Sequence, residues 1–526
     1  MTLLRAIATV GGWTMASRVL GFVRDILIAG VLGAGMVADA FFVAFKLPNF
    51  FRRLFAEGAF NAAFVPLFGE RLARDGEGSA RRFAGEVAAV MVTALMIFTI
   101  AAVALMPWLM YLIAPGFAGQ PEKFALTIEL TRLTFPYLMF MALVALLGGM
   151  LNSMQRFAAT AAAPILLNIV LIATLVLVKT EVLALPGHAL AWGVALAGAG
   201  QLVWLALACG RRGVSIRLPR PRLTPGVKRV LRLMAPGIVG AGVVQINLVI
   251  DVILASTLPE GSVSFLYYAD RVNQLPLGVV GVAVGIALLP LLTRQLAEGD
   301  GAAAMASQNR AIEIALLLTV PAAAALLVIP GPIIAVLFER GAFSEAASVA
   351  TASALAAFAA GLPAYVLIKS LTPGFFARKD TATPVKIAVI AVVANVALAI
   401  ALMQVLAHVG IALATACSAW LNAGMLAATL KARGDLVLDE RLRRRVPLMV
   451  LAAGLMAVGL WAGAAILEPA LVGAAWQRIA ALAGLVLGGL LLFAGLAHVT
   501  GAADFGELRR LLRRDDGPGQ RTTEDQ

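Results

Sequence analysis

The sequence predicts an all-α polytopic membrane protein with fourteen transmembrane helices, and three observations predict it. Of its 526 residues, 61% are hydrophobic and only 13% are charged, about half the charged share of an ordinary soluble domain. Long, nearly charge-free stretches recur from end to end, and the mean hydropathy is +0.93, more apolar than any soluble core requires. The loops between those stretches alternate between basic and nearly bare. These features argue against a soluble enzyme, a nucleic-acid-binding protein and a disulfide-built secreted domain. The net charge of +13 belongs instead to loops that face an anionic membrane surface.

A spanning helix needs about 20 mainly apolar residues. The stretches that meet this rule run over 6–33, 37–69, 84–114, 123–152, 158–180, 187–210, 228–257, 261–294, 308–338, 346–374, 383–406, 409–431, 446–467 and 477–500. Several exceed the required length, which predicts tilt or extension into the interfaces. Pro48, Pro66, Pro136, Pro290 and Pro363 fall inside them. A bundle tolerates such prolines where neighbouring helices satisfy the freed backbone groups. The first stretch reads as a retained helix rather than a cleavable signal, because Arg18, Arg24 and Asp25 interrupt it.

Loop charge orients these spans. Loops after even-numbered spans are basic: Arg211, Arg212, Arg217, Arg220 and Arg222 follow the sixth, and Lys431, Arg433, Arg441, Arg443, Arg444 and Arg445 follow the twelfth. Loops after odd-numbered spans are nearly bare, Lys123, Lys179 and Arg340 excepted. The positive-inside rule then places both termini in the cytoplasm. Arg509, Arg510, Arg513 and Arg514 in the tail 501–526 suit a short helix on the inner membrane surface.

A weak internal repeat is visible. FVPLFGERLARDG near Pro66 is similar to LLPLLTRQLAEGD near Pro290, an offset of 224, and TFPYLMF near Pro136 to GLPAYVL near Pro363, an offset of 227. The near-equal offsets predict duplicated halves of about six helices, a parallel repeat of the kind found in transporters. The expected division is an N-terminal lobe over 1–220, a second lobe over 221–440, two further helices over 441–500 and a cytoplasmic basic tail over 501–526.

The first two spans carry charges that spanning helices ordinarily lack. Span one has Arg18, Arg24 and Asp25; span two has Asp39, Lys46, Arg52, Arg53 and Glu57. An ionisable residue at the centre of a spanning helix costs roughly 2.5–3.5 kcal/mol on the insertion scale, so these groups must face the bundle interior, a watery cavity or one another. At about 100° per residue, Asp39, Lys46, Arg53 and Glu57 share one face. Asp251 on span seven, and Asp270 with Arg271 on span eight, add to the set. The expected arrangement is a polar central cavity with a cationic floor. Arginine suits a phosphate or pyrophosphate there, because its fork donates parallel hydrogen bonds and stays charged. Internal ion pairing accounts for the same residues differently: Arg24 or Arg18 with Asp25, Lys46 with Asp39, and Arg53 with Glu57.

Other features are bland. Cys209 and Cys417 lie in or beside apolar runs, and His188, His408 and His498 are scattered; neither set has metal-site spacing. Gly484, Gly488 and Gly489 suit helix packing. No phosphate-binding glycine loop and no nucleophile arrangement stands out.

The block SRVLGFVRDILIAGVLGAGMVADAFFVAFKLPNFFRRLFAEGAFNAAFVPLF resembles the MurJ (MviN) family of lipid II flippases, as do YYADRVNQLPLGVVGVAVGIALLPLL and PGFFARKDTATPVKIA. The resemblance covers essentially the whole chain. It implies the fold of the MOP exporter superfamily: two pseudo-symmetric six-helix lobes around a central cavity, plus two C-terminal helices. It also implies a task, moving an undecaprenyl-pyrophosphate-linked disaccharide-pentapeptide from the cytoplasmic to the periplasmic leaflet of the bacterial inner membrane. By motif position, Ser17, Arg18 and Arg24 fall in the SRxLGxxRD element, Arg52 in PNxxRRLxxEGxF and Arg271 in YYADR. The resemblance makes Arg18, Arg24, Arg52 and Arg271 the expected substrate arginines. It makes Ser17, Asp25, Asp39, Lys46, Arg53, Glu57 and Asp270 their expected supports and gate contacts. Gln274 stands where some members carry Glu, which argues against a carboxylate switch there. No cofactor is implied. The expected coupling is to the membrane potential or a monovalent cation, for which Asp251 is a weak candidate ligand. Lipid II, membrane lipids and wall-synthesis enzymes are the expected partners, and spans thirteen and fourteen are expected to form a groove for the lipid tail.

Three rivals stand beside this reading. An exporter of another lipid-linked or amphipathic substrate in the same superfamily, such as a drug antiporter, favours acidic residues in an apolar cavity and twelve spans. A membrane scaffold needs its charges only as pairs. An enzyme acting on polyprenyl phosphates needs clustered carboxylates for a metal.

Overall fold

Backbone amides in hydrocarbon have no water to bond, so long apolar stretches are stable there only as helices. The computed structural model describes residues 3–53, 60–211, 213 and 216–503, and no strand occurs among them. The helices are α1 (Leu3–Leu32), α2 (Met36–Phe51), α3 (Asn61–Ala104), α4 (Met106–Ile113), α5 (Pro121–Thr134), α6 (Tyr137–Ser153), α7 (Phe157–Lys179), α8 (Pro186–Gly210) and α9 (Pro225–Ser256). They continue as α10 (Ser262–Ala297), α11 (Gly301–Val328), α12 (Pro330–Phe338), α13 (Glu345–Ala359), α14 (Leu362–Phe376), α15 (Ala382–Ala432), α16 (Glu440–Ile466), α17 (Glu468–Leu471) and α18 (Ala475–Val499).

Breaks fall where sequence chemistry puts them. The stretch 123–152 divides into α5 and α6 at Pro136, whose ring denies the helix a donor. The 51 residues of α15 are interrupted at Ala407 (φ 48°, ψ −129°), between the expected spans 383–406 and 409–431. The two arms meet closely there: a Cβ on Gly410 would fall 2.5 Å from the Leu402 carbonyl carbon. In α3 the break is Gly76. The expected span 37–69 is likewise not described as one helix. Arg52 and Arg53 follow α2 in a wider π-type turn, and α3 starts at Asn61. Glu57 and the arginines of the C-terminal tail lie outside the described residues.

Among the described residues, nine helical segments are long and apolar enough to cross a membrane by length and composition. Their outward faces fit a lipid solvent. In α18 the buried residues Ala481, Leu485, Gly489, Phe493 and Ala497 recur every fourth position, while Val486, Leu487, Leu490 and Leu491 are exposed. A helix that is apolar all round belongs in a bilayer.

The chain divides into two units. The first comprises Met1–Arg271, Leu337–Ala354 and Ala388–Thr415. Within it α1 packs on α7, α7 on α8, α2 on α5 and α8, and α3 on α6 and α9. The second comprises Val272–Val336, Leu355–Ile387 and Ala416–Gln526. There α11 packs on α14 and α16, and α16 on α18. Gly489 accounts for part of that last contact, since a Cβ on it would fall 2.9 Å from Leu460; Gly484 and Gly488 meet nothing within 4 Å, so the packing role expected for the three falls to Gly489. In the second unit the loop before α15 is pinned by Asp380. Hydrogen bonds from Thr383, then from Arg433, hold its carboxyl below the usual carboxylate range.

A tight crossing in the first unit depends on glycine. The Ala342 N–H donates to Gly30 O at 2.9 Å. Gly33 and Gly341 both have positive φ, 66° and 59°. A Cβ on Gly341 would fall 2.2 Å from Gly30 O, and one on Gly33 would fall 2.4 Å from Ala342 O. Gly341→Ala is therefore expected to destabilise the protein by about 1–3 kcal/mol. Thermal unfolding of the detergent-solubilised chain checks this against Gly78→Ala, where a Cβ meets nothing within 4 Å.

Candidate substrate site

Helix α1 carries Arg24 and Asp25 into the first unit, where both are buried. Arg24 donates to Asp25 Oδ1 from Nε at 3.0 Å and from Nη2 at 2.7 Å. Its Nη1 donates to Asn168 Oδ1 on α7 at 3.0 Å. Asn168 in turn donates from Nδ2 to Ser17 O at 2.9 Å. The other side of the carboxylate is met from α10. Arg271 Nε lies 3.1 Å from Asp25 Oδ2. The Tyr267 hydroxyl donates to Asp25 Oδ1 at 3.3 Å and accepts from Arg271 Nη2 at 3.0 Å. Phe42 on α2 stacks on Tyr267 with 3.8 Å between ring centroids, so the phenol is held from both sides.

Two guanidinium groups thus share one carboxylate, and the cluster keeps a positive charge. The two arginines differ in what they have left to give. A guanidinium has five N–H donors. Arg24 uses three of them, and its side chain is 7% exposed. Among the described residues Arg271 donates one hydrogen bond, to the Tyr267 hydroxyl, and pairs with Asp25; its side chain is 31% exposed. Among the described residues Arg271 therefore keeps N–H donors for an anion, while Arg24 is mainly a buried partner whose charge is felt from behind.

Asp39 is engaged elsewhere. It accepts from Lys123 Nζ at 2.7 Å, from Gly261 N at 2.8 Å, and from Ser264 N at 2.9 Å and Ser264 Oγ at 2.6 Å. The partner of Asp39 is Lys123 on α5, not the expected Lys46. The carboxylate also caps the N-terminus of α10, satisfying amides that have no intrahelical acceptor. Glu260, just before α10, returns the arrangement by accepting from Met36 N at 2.7 Å.

Lys46 is exposed on a helix whose neighbours from Ala38 to Pro48 are otherwise buried. It lies within electrostatic reach of Asp251, Asp270, Arg271 and Arg53. Arg18 and Arg53 are exposed, and Arg52, half-buried, donates to Asn49 Oδ1 at 3.0 Å. Asp251 meets Asn395 Nδ2 at 3.3 Å, and the same nitrogen donates to Asn247 Oδ1 at 2.9 Å. Among the described residues no cluster of three or more His, Cys, Asp or Glu residues is placed to hold a metal. The structure therefore brings Arg24, Asp25 and Arg271 into direct contact. It sets Asp251, Asp270, Arg271 and Arg53 in the field around Lys46.

Sequence reasoning passed over Asn168, Tyr267, Lys123 and Ser264. A lone Asn inside the apolar run of α7 was a usable signal, since polar groups at that depth need partners. Tyr267 precedes the charged pair of the YYADR element. Lys123 carried no signal, because a lysine at the start of a span reads as an interfacial residue.

A family profile described as lipid II flippase MurJ matches residues 28–486. The chain belongs to the MurJ lipid II flippase family. The probable lipid II flippase MurJ of Rhizobium meliloti (strain 1021) is 47% identical over 519 residues, spanning 98% of this chain and 97% of that protein. Lipid II flippase MurJ of Burkholderia cenocepacia is 37% identical over 441 residues, spanning 82% and 85%. A solved structure of lipid II flippase MurJ in an inward closed conformation has the same fold, with a TM-score of 0.77 at 24% identity over 93% of this chain and 98% of that one. An inward-facing MATE multidrug transporter of the MOP superfamily shares the fold more distantly, with a TM-score of 0.67 at 15% identity over 82% and 98%. The chain is thus a multi-pass membrane transporter rather than an enzyme.

Proposed function

We propose that this protein flips lipid II from the cytoplasmic to the periplasmic leaflet of a bacterial inner membrane, and that the Arg24–Asp25–Arg271 cluster receives the pyrophosphate. The observation that carries the reading is the convergence of two arginines, from α1 and α10, on one carboxylate, with Arg271 still holding open donors. A pyrophosphate accepts several charge-assisted hydrogen bonds and takes the place of water on that guanidinium. Lys46, Arg53, Arg18 and Arg52 supply further positive field for the head group. The reading includes fourteen crossings with both termini in the cytoplasm, two six-helix lobes over 1–220 and 221–440, and a tail groove at 441–500.

Transport on this reading proceeds by alternating access. The contacts of Asp39 with Gly261 and Ser264, of Glu260 with Met36 and of Ala342 with Gly30 close one end, and they part when the cavity opens to the other side. Resetting draws on the membrane potential, worth about 2.3 kcal/mol per charge per 100 mV, or on a monovalent cation at Asp251. An exporter of another lipid-linked or amphipathic substrate is the second reading, supported by the likeness of fold to MATE transporters. The basic field around Arg271 weighs against it.

The test is complementation. A bacterial host is depleted of its essential flippase, this chain is expressed, and labelled lipid II reaching the outer leaflet is measured. Wild type is expected to restore arrival and Arg24→Ala to abolish it while still inserting. Undiminished arrival with Arg24→Ala would sink the pyrophosphate assignment. No arrival with well-inserted wild type would favour another substrate.

A further inference from the structure

The second unit contains an apolar cavity of about 440 Å³, within the range of roughly 300–1,000 Å³ common for small-molecule sites. Its wall includes Leu316 of α11, Leu371 of α14, Trp420 and Ala427 of α15, and Leu442 of α16; Arg443 is the charged residue in the lining. Trp420 and Ala427 are seven residues apart on one face, about 10 Å of helix rise. That is about two-thirds of one leaflet's hydrocarbon depth of ~15 Å. The cavity therefore has the length to take part of an acyl chain, with a guanidinium in its lining. No residue of α18 lines it, so it is separate from a groove between the last two spanning helices.

The arginines beside it are sorted by their partners. Glu313, buried on α11, accepts from Arg441 Nε at 3.1 Å and from Arg445 Nη1. Arg310 pairs with both Glu313 and Asp439. Asp439 accepts from Leu442 N at 2.7 Å and so caps α16. This network fixes the start of α16 and uses Arg441 and Arg445. Arg443 and Arg444 are exposed, and among the described residues neither has an ion-pair partner. Arg443 lines the slot, and Arg444 is the next residue of the same helix; an apolar slot with an uncompensated guanidinium in its wall calls for a ligand that is greasy along its length and anionic at its head.

We infer that this cavity binds an anionic phospholipid, seating one acyl chain against Leu371 and Trp420 and the phosphate on Arg443 and Arg444. Arginine grips a phosphate with two parallel hydrogen bonds. The slot is open where the chain must lie: a Cβ on Gly424, which lines it, meets nothing within 4 Å. Trp420 is fixed by donating from Nε1 to Ala360 O at 2.9 Å, which makes it a stationary reporter.

The test uses the full chain in phosphatidylcholine vesicles. The emission of Trp420 is taken as the difference between wild type and Trp420→Phe. Phosphatidylglycerol with a dibrominated acyl chain is titrated as quencher, against phosphatidylcholine brominated at the same carbons. Wild type is expected to reach half-maximal quenching at a mole fraction of phosphatidylglycerol about fivefold lower per arginine engaged than of phosphatidylcholine. Arg443→Gln and Arg444→Gln are each expected to move the phosphatidylglycerol curve toward that of phosphatidylcholine. Gly424→Leu is expected to remove quenching by either lipid. Coincident curves in wild type would show an unselective lipid contact and overturn the proposal. So would curves unmoved by both arginine variants, quenching that survives Gly424→Leu, or quenching confined to a brominated polyprenyl pyrophosphate.

Discussion

Replacing Asp39 with alanine is expected to lower the free energy of unfolding by about 3–5 kcal/mol, the usual penalty for leaving one member of a buried ion pair alone. Lys123 is 1% exposed and would lose its counter-ion. Its only other described support is the ring of Phe117, 4.1 Å from Nζ. The same change strips Gly261 N, Ser264 N and Ser264 Oγ of their acceptor. Thermal or denaturant unfolding of the purified chain measures the loss. Lys123→Met in the Asp39→Ala background is expected to recover a substantial part of it, because the buried charge is then gone. The amides of α10 would remain unsatisfied, so recovery should be incomplete. An Asp39→Ala chain that unfolds at the wild-type midpoint would mean that the pair is not buried in the working protein.

Arg271→Ala is expected to reduce lipid II arrival by roughly 30-fold or more while leaving insertion intact. Truncating one member of a hydrogen-bonded charge pair commonly costs about 2–5 kcal/mol of binding, and 1.4 kcal/mol is about tenfold. The Arg24–Asp25 pair remains in this variant, and so does the contact of Arg24 with Asn168, so the local fold has no unpaired charge. What disappears is the guanidinium with open donors and its bond to Tyr267. Arg271→Lys is expected to restore little. An ammonium is a point donor on a flexible stem and does not reproduce the fork that spans Asp25 Oδ2 and the Tyr267 hydroxyl. Leaflet-resolved arrival of labelled lipid II, normalised to inserted protein, is the measurement. Arrival at the wild-type rate in Arg271→Ala would remove Arg271 from the substrate site.

The helical stretches were legible because hydrocarbon enforces a simple rule: an apolar run must bond its own backbone. The gap near Ala407 fell between two expected spans, whereas the break at Pro136 divided a stretch read as one, with its proline tolerated. The presence of charges in α1, α2 and α10 was equally legible, and so was the expectation that lipid would not hold them. The Arg24–Asp25 contact was among the pairings expected. Partnership beyond that was not. Helical spacing put Lys46 on the same face as Asp39 and suggested a pair, yet Asp39 bonds Lys123, 84 residues away in sequence.

Composition, loop charge and motif together determined that this is a helical membrane transporter of one family, because those features act through solvent and through local backbone geometry. Only the tertiary structure decided which charges meet. It turned Asp39 onto the end of α10, left Lys46 exposed, and placed Arg24 and Arg271 on opposite oxygens of Asp25. Periodicity describes one helix at a time, whereas a buried charge is satisfied by whichever helix packs against it, and that choice belongs to the bundle.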